Sequence, residues 1–143
     1  MSNLIKYSLA IEGCNSPLEF TRGELTVDGK LEKTDEENGT YVEFTPDKTV
    51  FKNYNYKTPY LEKLFWNYCY LNRGLSIYFN GTKYHSKNGL KDLLEENLSG
   101  DPLYPIIHLE GEDIEVAFTH GRQYGEDYSS FVNGQHTTQG GTH

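Results

Sequence analysis

The sequence predicts an α+β fold, a mixed or antiparallel sheet with two packed helices, and three observations carry that expectation. Apolar and polar residues alternate in short runs up to about residue 52. Two later stretches repeat apolar residues at helical spacing, and hairpin signals follow each of them in place of a regular strand–helix–strand alternation. The bulk composition is compatible: 143 residues can support a core, and with an apolar fraction of 36% the 12 Tyr and 7 Phe supply much of the large side-chain area.

Tyr7, Leu9 and Ile11 alternate with Ser8 and Ala10, which gives a first strand. Residues 18–25 form a second run broken at Arg22-Gly23, and Val27-Asp28-Gly29-Lys30 reads as a hairpin turn. The acidic stretch Asp35-Glu36-Glu37-Asn38-Gly39 is a polar turn. After it Thr40, Val42 and Phe44 share one face and Tyr41, Glu43 and Thr45 the other, the period of a half-buried strand stopped by Pro46-Asp47. Composition turns polar and the period changes at residues 52–56, which places a domain seam between residues 1–52 and 53–143.

Thr58-Pro59 reads as N-cap and first helical residue, and Leu61, Leu64, Phe65, Tyr68 and Cys69 form one apolar stripe. That helix should end near Asn72-Arg73-Gly74, with Gly74 at a left-handed exit. Leu75, Ile77 and Phe79 lead into Asn80-Gly81, the dipeptide that best tolerates the two positive φ angles of a tight hairpin. Asn88 is expected to cap a second helix with Leu90, Leu93, Leu94 and Leu98 on one face, closed by Gly100-Asp101-Pro102. Residues 105–109 and 114–119 form a further hairpin across Glu110-Gly111-Glu112-Asp113, and Phe131 and Val132 a last strand.

Several function classes are disfavoured. With 21 acids against 13 bases the net charge is −8, and the bases are scattered singly, so this surface should repel a phosphate backbone. Cys14 and Cys69 are far apart, without the spacing of a disulfide framework or zinc ribbon, which favours a reducing, cytoplasmic setting. No run of about 18 apolar residues and no charged-then-apolar leader points to a membrane.

His85, His108, His120, His136 and His143 lack metal-ligand spacing and are expected to face solvent. Glu95-Glu96 and the set Glu110, Glu112, Asp113 and Glu115 read as solvated charge rather than paired acid and base. Ser129 and Ser130 lack a nucleophile elbow, and no phosphate-cradling glycine loop is present. Tyr124-Gly125-Glu126-Asp127-Tyr128 reads as a surface loop and Trp66 as a core residue. No catalytic residue and no metal ligand is therefore expected in the chain.

The end of the sequence is more specific. "SFVN" from Ser130, followed by "TTQGGTH" from Thr137 to His143, resembles a stretch shared by the ATP-hydrolysing B subunits of type IIA DNA topoisomerases. "NGTYVEFTPDKTVF" (Asn38 to Phe51), "YLNRGLSIYFNG" (Tyr70 to Gly81) and "YPIIHLEGEDIEVAFTHG" (Tyr104 to Gly121) are similar to further pieces of that family, in the family's order. Within it, "FVNGQHTTQGGTH" is more similar to the topoisomerase IV type than to the gyrase type.

The resemblance implies a fragment: the last strands of a GHKL-type ATPase domain at 1–52, then the truncated start of a transducer domain of left-handed βαβ type at 53–143. In relatives a long helix follows the Gly-Gly-Thr-His. The family's Mg-binding Asn, catalytic Glu, lid and transducer lysine fall outside the 143 residues, so ATP and Mg are implied for the full-length protein and neither is expected on the fragment. The implied partners are DNA, the A subunit and a second B subunit closing a gate, with strand passage as the activity. The family's Gly-Thr strand matches Gly39 and Thr40, and its threonine hydroxyl helps to hold adenine through an Asp and a water; a plain β-branched strand residue is the alternative for Thr40. For the chain as a whole, the alternative is a free-standing α+β interaction module without enzymatic activity.

Overall fold

Tight turns do most of the local work in the computed structural model, which describes residues 4–138. The chain divides into two compact units, Met1–Tyr56 and Lys57–His143.

The first unit is one antiparallel sheet of five strands: β1 (Leu4–Ile11), β2 (Cys14–Thr21), β3 (Glu24–Asp28), β4 (Glu32–Lys33) and β5 (Gly39–Phe44). Their order is β3-β2-β1-β5, with β4 also paired to β2. Two-residue loops join β1 to β2 at Glu12-Gly13 and β2 to β3 at Arg22-Gly23, every one of these residues at positive φ. Both loops match the right-handed twist of their strands.

The turn expected at Val27-Asp28-Gly29-Lys30 is not a hairpin, because β3 and β4 do not pair with each other. Both run along β2, one opposite Leu18–Thr21 and the other opposite Cys14 and Asn15. Between them Gly29 donates its N–H to Pro17 O at 2.8 Å, and a Cβ at Gly29 would fall 2.3 Å from that oxygen. Glycine is there for a close backbone approach rather than for a reversal.

Because strand partners share a face, the register sorts the sheet into two surfaces. Ile5, Tyr7, Leu9 and Ile11 lie opposite Phe44, Val42 and Thr40 on one side, and opposite Phe20, Leu18, Ser16 and Cys14 on the other. Lys6, Ser8, Asn15, Glu19 and Glu43 occupy the second face. The alternation expected for β5 is present, yet every residue of that strand is exposed instead of half-buried. Among the described residues of this unit there is no helix to form a second layer, so Val42 remains 56% and Phe44 51% exposed. Phe44 meets Tyr56 edge-on, and Tyr56 meets Tyr54 in the same way, which extends the apolar face past the strand end.

The second unit contains α1 (Thr58–Leu71), β6 (Ser76–Phe79), β7 (Thr82–His85), α2 (Leu90–Asn97), β8 (Ile107–Glu110), β9 (Glu115–Phe118), β10 (Ser130–Val132) and β11 (Gln135–Thr137). The strands form three separate antiparallel hairpins. Asn80-Gly81 makes the expected turn of the first, with φ of 49° and 86°. The last strand also proves to be a hairpin, turned by Asn133-Gly134 with φ of 49° and 80°, and Gly134 sits against the Tyr68 ring.

In α1 the N-cap is Lys57 rather than Thr58, and no side chain caps it; Pro59 holds its place in the first turn. The buried stripe is rotated from the expected one: Leu64 and Tyr68 are exposed, whereas Cys69 and Tyr70 are buried. The cause is the hairpin beneath, where Phe65 packs on Phe79 and Tyr84, and Trp66 lies between Tyr84 and a stacked Tyr70. Gly74 takes the left-handed conformation expected after the helix.

The N-cap of α2 is Gly89, one residue later than expected. Asn88 contributes instead through Asp92, which accepts from its Nδ2 at 2.8 Å and its backbone N–H at 3.1 Å. Ser86, 2% exposed, donates to Asp92 and accepts from the Gly89 N–H. Burial pushes the Asp92 carboxyl up, but these donors outweigh it and hold the group below the usual carboxylate range.

Candidate functional site

Gly39 and Thr40 open β5, an outer strand among the described residues, with Gly39 opposite Ala10 and Thr40 opposite Leu9. Successive rows across the apolar face are Phe44–Ile5–Phe20, Val42–Tyr7–Leu18 and Thr40–Leu9–Ser16. Thr40 therefore stands at the point where an otherwise apolar surface becomes hydroxylic. Both residues are exposed, and Ser16 directs its own hydroxyl to Gly29 O at 3.3 Å.

The approach to this row is acidic, with Asp35, Glu36 and Glu37 just ahead of Gly39. Asn15 Nδ2 donates to Glu36 at 2.9 Å, and the Glu12 N–H donates to Asn38 Oδ1 at 2.9 Å, which ties the acidic connection to the first hairpin. A threonine hydroxyl can donate and accept at once, so it suits an uncharged heterocycle with both kinds of edge. The neighbouring carboxylates would repel a phosphate.

Other polar groups are brought together in ways the sequence did not reveal. His108, expected in solvent, has a side chain only 10% exposed and sits 2.7 Å from Glu115. Glu110 makes two 2.9 Å contacts with Arg73, whose guanidinium is held charged by that hydrogen-bonded partner. Two members of the supposedly solvated acidic set are thus pairing residues. The signal was cross-strand: the β8–β9 register faces His108 with Ala117 and Glu110 with Glu115, so Glu115 reaches His108 diagonally.

Ser76 Oγ lies 3.0 Å from His85 Nδ1, but the same nitrogen lies 3.0 Å from Leu75 O. An Nδ1 proton donated to that carbonyl cannot be exchanged for the serine's, so the pair is not an activated nucleophile. Tyr124 and Tyr128 are fully and 86% exposed respectively, as a surface loop requires. A shallow groove of 550 Å³ beside α2, lined by Lys91, Glu95, Leu98, Pro102, Pro105 and Ile106, collects no convergent set of polar groups. Among the described residues no group of three or more His, Cys, Asp or Glu side chains could hold a metal ion, and no helix is long and apolar enough to cross a membrane. The motif at residues 139–143 lies outside the described residues.

Comparison with known proteins decides the family. The topoisomerase IV B subunit of Borreliella burgdorferi is 43% identical over 125 residues, covering 87% of this chain and 21% of the relative. The gyrase B subunit of Helicobacter pylori is 37% identical over 141 residues, covering 87% and 18%. The chain belongs to the family of the topoisomerase IV and gyrase B subunits.

It spans about a fifth of the length of these curated relatives. No family model matches it. The fold is shared with the 43K ATPase domain of Thermus thermophilus gyrase B, solved in complex with an aminocoumarin, at a TM-score of 0.74 and 23% identity over 95% of this chain and 41% of that one. It is also shared with the topoisomerase IV ATP binding domain of Francisella tularensis, in complex with a small molecule inhibitor, at a TM-score of 0.64 and 23% identity over 96% and 41%.

Proposed function

We propose that this chain is a segment of the ATP-hydrolysing B subunit of a bacterial type IIA topoisomerase, topoisomerase IV in preference to gyrase. The first unit supplies the closing strands of the GHKL ATPase domain, and the second the start of the transducer that relays gate closure. In that reading the whole cytoplasmic enzyme couples ATP, with Mg, to passage of one DNA duplex through another. It works with the A subunit and a second B subunit.

Gly39 and Thr40 are the nucleotide contacts in this segment, and one observation carries the assignment: the register sets Thr40 at the polar end of the apolar sheet face. A hydroxyl on such a floor orients an adenine ring while the apolar rows shield it from water. The exposed Gly39, with only Glu37 O near a would-be Cβ at 3.8 Å, leaves the base room beside the backbone. The segment has no catalytic role in this reading; it positions the base and transmits motion through the α1–α2 body.

The preference for topoisomerase IV rests on the 43% identity to a topoisomerase IV relative against 37% to a gyrase relative. The test uses the full-length protein that carries this segment and calorimetry with a non-hydrolysable ATP analogue. Thr40→Ala should weaken binding by roughly fivefold, the worth of about 1 kcal/mol of hydrogen bonding, and Thr40→Ser should restore it. An unchanged affinity for Thr40→Ala would remove Thr40 from the site. The 143-residue chain alone should show no ATP turnover and no tight, saturable binding.

A further inference from the structure

Four Asn-Gly dipeptides occur in the chain, at Asn38-Gly39, Asn80-Gly81, Asn88-Gly89 and Asn133-Gly134. Such pairs share one chemical liability. The glycine N, unhindered by a side chain, can attack the asparagine Cγ, expel ammonia and close a five-membered succinimide. Water then opens the ring at one carbonyl or the other and leaves an aspartate or an isoaspartate. No oxidant, enzyme or metal is needed, so local geometry decides which site reacts.

The structure separates the four sites. Asn80 and Asn133 are first residues of two-residue turns, each at φ 49°. Each is locked between flanking strand pairs, Phe79 with Thr82 and Val132 with Gln135. Rotating either asparagine toward its glycine nitrogen means breaking a hairpin whose shape depends on that left-handed backbone. At Asn88-Gly89 the nitrogen that would attack is engaged, because the Gly89 N–H donates to the buried Ser86 Oγ at 2.9 Å, and Asn88 Nδ2 is held on Asp92 at 2.8 Å. Asn38 is different: it lies in an exposed bend between β4 and β5, outside any turn of positive φ. Its Oδ1 accepts the Glu12 N–H at 2.9 Å. That donor polarises the carbon under attack and faces the oxygen on which negative charge develops.

We propose that Asn38-Gly39 is a self-modification site of this protein, the asparagine that converts first by succinimide chemistry. The conversion acts directly on the sheet. An aspartate places a new negative charge beside Thr40. An isoaspartate adds a main-chain carbon at the very start of β5, where Gly39 pairs with Ala10, and disturbs the register that fixes the face of every residue after it. The chemistry does not depend on nucleotide binding, so it stands or falls apart from the function proposed above.

The experiment is incubation of the folded chain in mildly alkaline buffer, followed by tryptic peptide mapping with mass spectrometry. Cleavage after Lys33 and Lys48, after Arg73 and Lys83, after Lys87 and Lys91, and after Arg122 puts the four asparagines on four different peptides. Asn38 should convert about tenfold faster than Asn80, Asn88 or Asn133, the ratio set by a barrier difference of about 1.4 kcal/mol. In denaturing urea the four rates should converge, because only the fold distinguishes them. Equal rates in the folded chain, or a lead for Asn38 that persists in urea, would overturn the proposal.

Discussion

Tyr70 is where the packing of the second unit can be tested most sharply. Its ring stacks on Trp66 at a centroid distance of 5.4 Å and 19° between planes, and its hydroxyl donates to Glu96, joining α1 to α2. The side chain is 7% exposed. Tyr70→Ala removes a buried aromatic ring, which typically costs about 3 to 5 kcal/mol. Tyr70→Phe removes only the hydroxyl, and because Glu96 is exposed and can turn to water, the cost should stay near 1 kcal/mol. With a urea slope of about 2 kcal/mol per molar, the alanine variant should lose about 2 M of midpoint and the phenylalanine variant about 0.5 M. Trp66 is the single tryptophan, so its emission reports on this cluster directly during urea unfolding.

The same residue has a signature in pH. Burial first, then the Glu96 hydrogen bond, raises the Tyr70 hydroxyl above its ordinary value. The stability linked to it is fully present below the ordinary tyrosine value of about 10 and is lost as pH rises through the folded-state value. Tyr70→Phe should abolish that alkaline loss. If the alanine and phenylalanine variants were equally destabilised, the ring stack would carry none of the energy assigned to it.

Two further outcomes follow from the same packing. Asp92→Ala should cost about 1 to 2 kcal/mol in thermal or urea unfolding, the worth of a lost helix N-terminal cap. Because the Asp92 carboxyl is held low, its contribution is present above the ordinary carboxylate value of about 4 and disappears as pH falls through the folded-state value; a wild-type acid limb identical to that of Asp92→Asn would contradict this. The apolar face of the first unit should bind a hydrophobic dye, and Val42→Lys should reduce that fluorescence without changing the circular dichroism. Dye binding indifferent to Val42 would place the sticky surface elsewhere.

Much of the local structure was legible because it is written in nearest neighbours. Asn80-Gly81 announces its turn, Pro59 and Gly74 bracket α1, and the alternation from Thr40 to Phe44 gives the correct two faces of β5. Glu12-Gly13 and Arg22-Gly23 were harder to read, since neither glutamate nor arginine favours the left-handed region that the hairpins impose on them. The candidate site was legible only through resemblance: nothing in the Gly39-Thr40 dipeptide itself distinguishes a ligand contact from a strand residue. Its place on the apolar face follows from pairing with Leu9, a residue 31 positions away.

What the sequence determined alone was most of the elements and several of the turns, because φ preferences and side-chain periodicity act over a few residues, while the family was legible through motif resemblance. Tertiary structure decided which face of α1 is buried, since the hairpin beneath it offers Phe79 and Tyr84 to Phe65 and Trp66 instead of to Leu64. It also decided that Gly29 serves a close contact and that His108 meets Glu115 out of solvent. These are contacts between segments distant along the chain. Their energies depend on which surfaces meet, a quantity that no window of neighbouring residues contains.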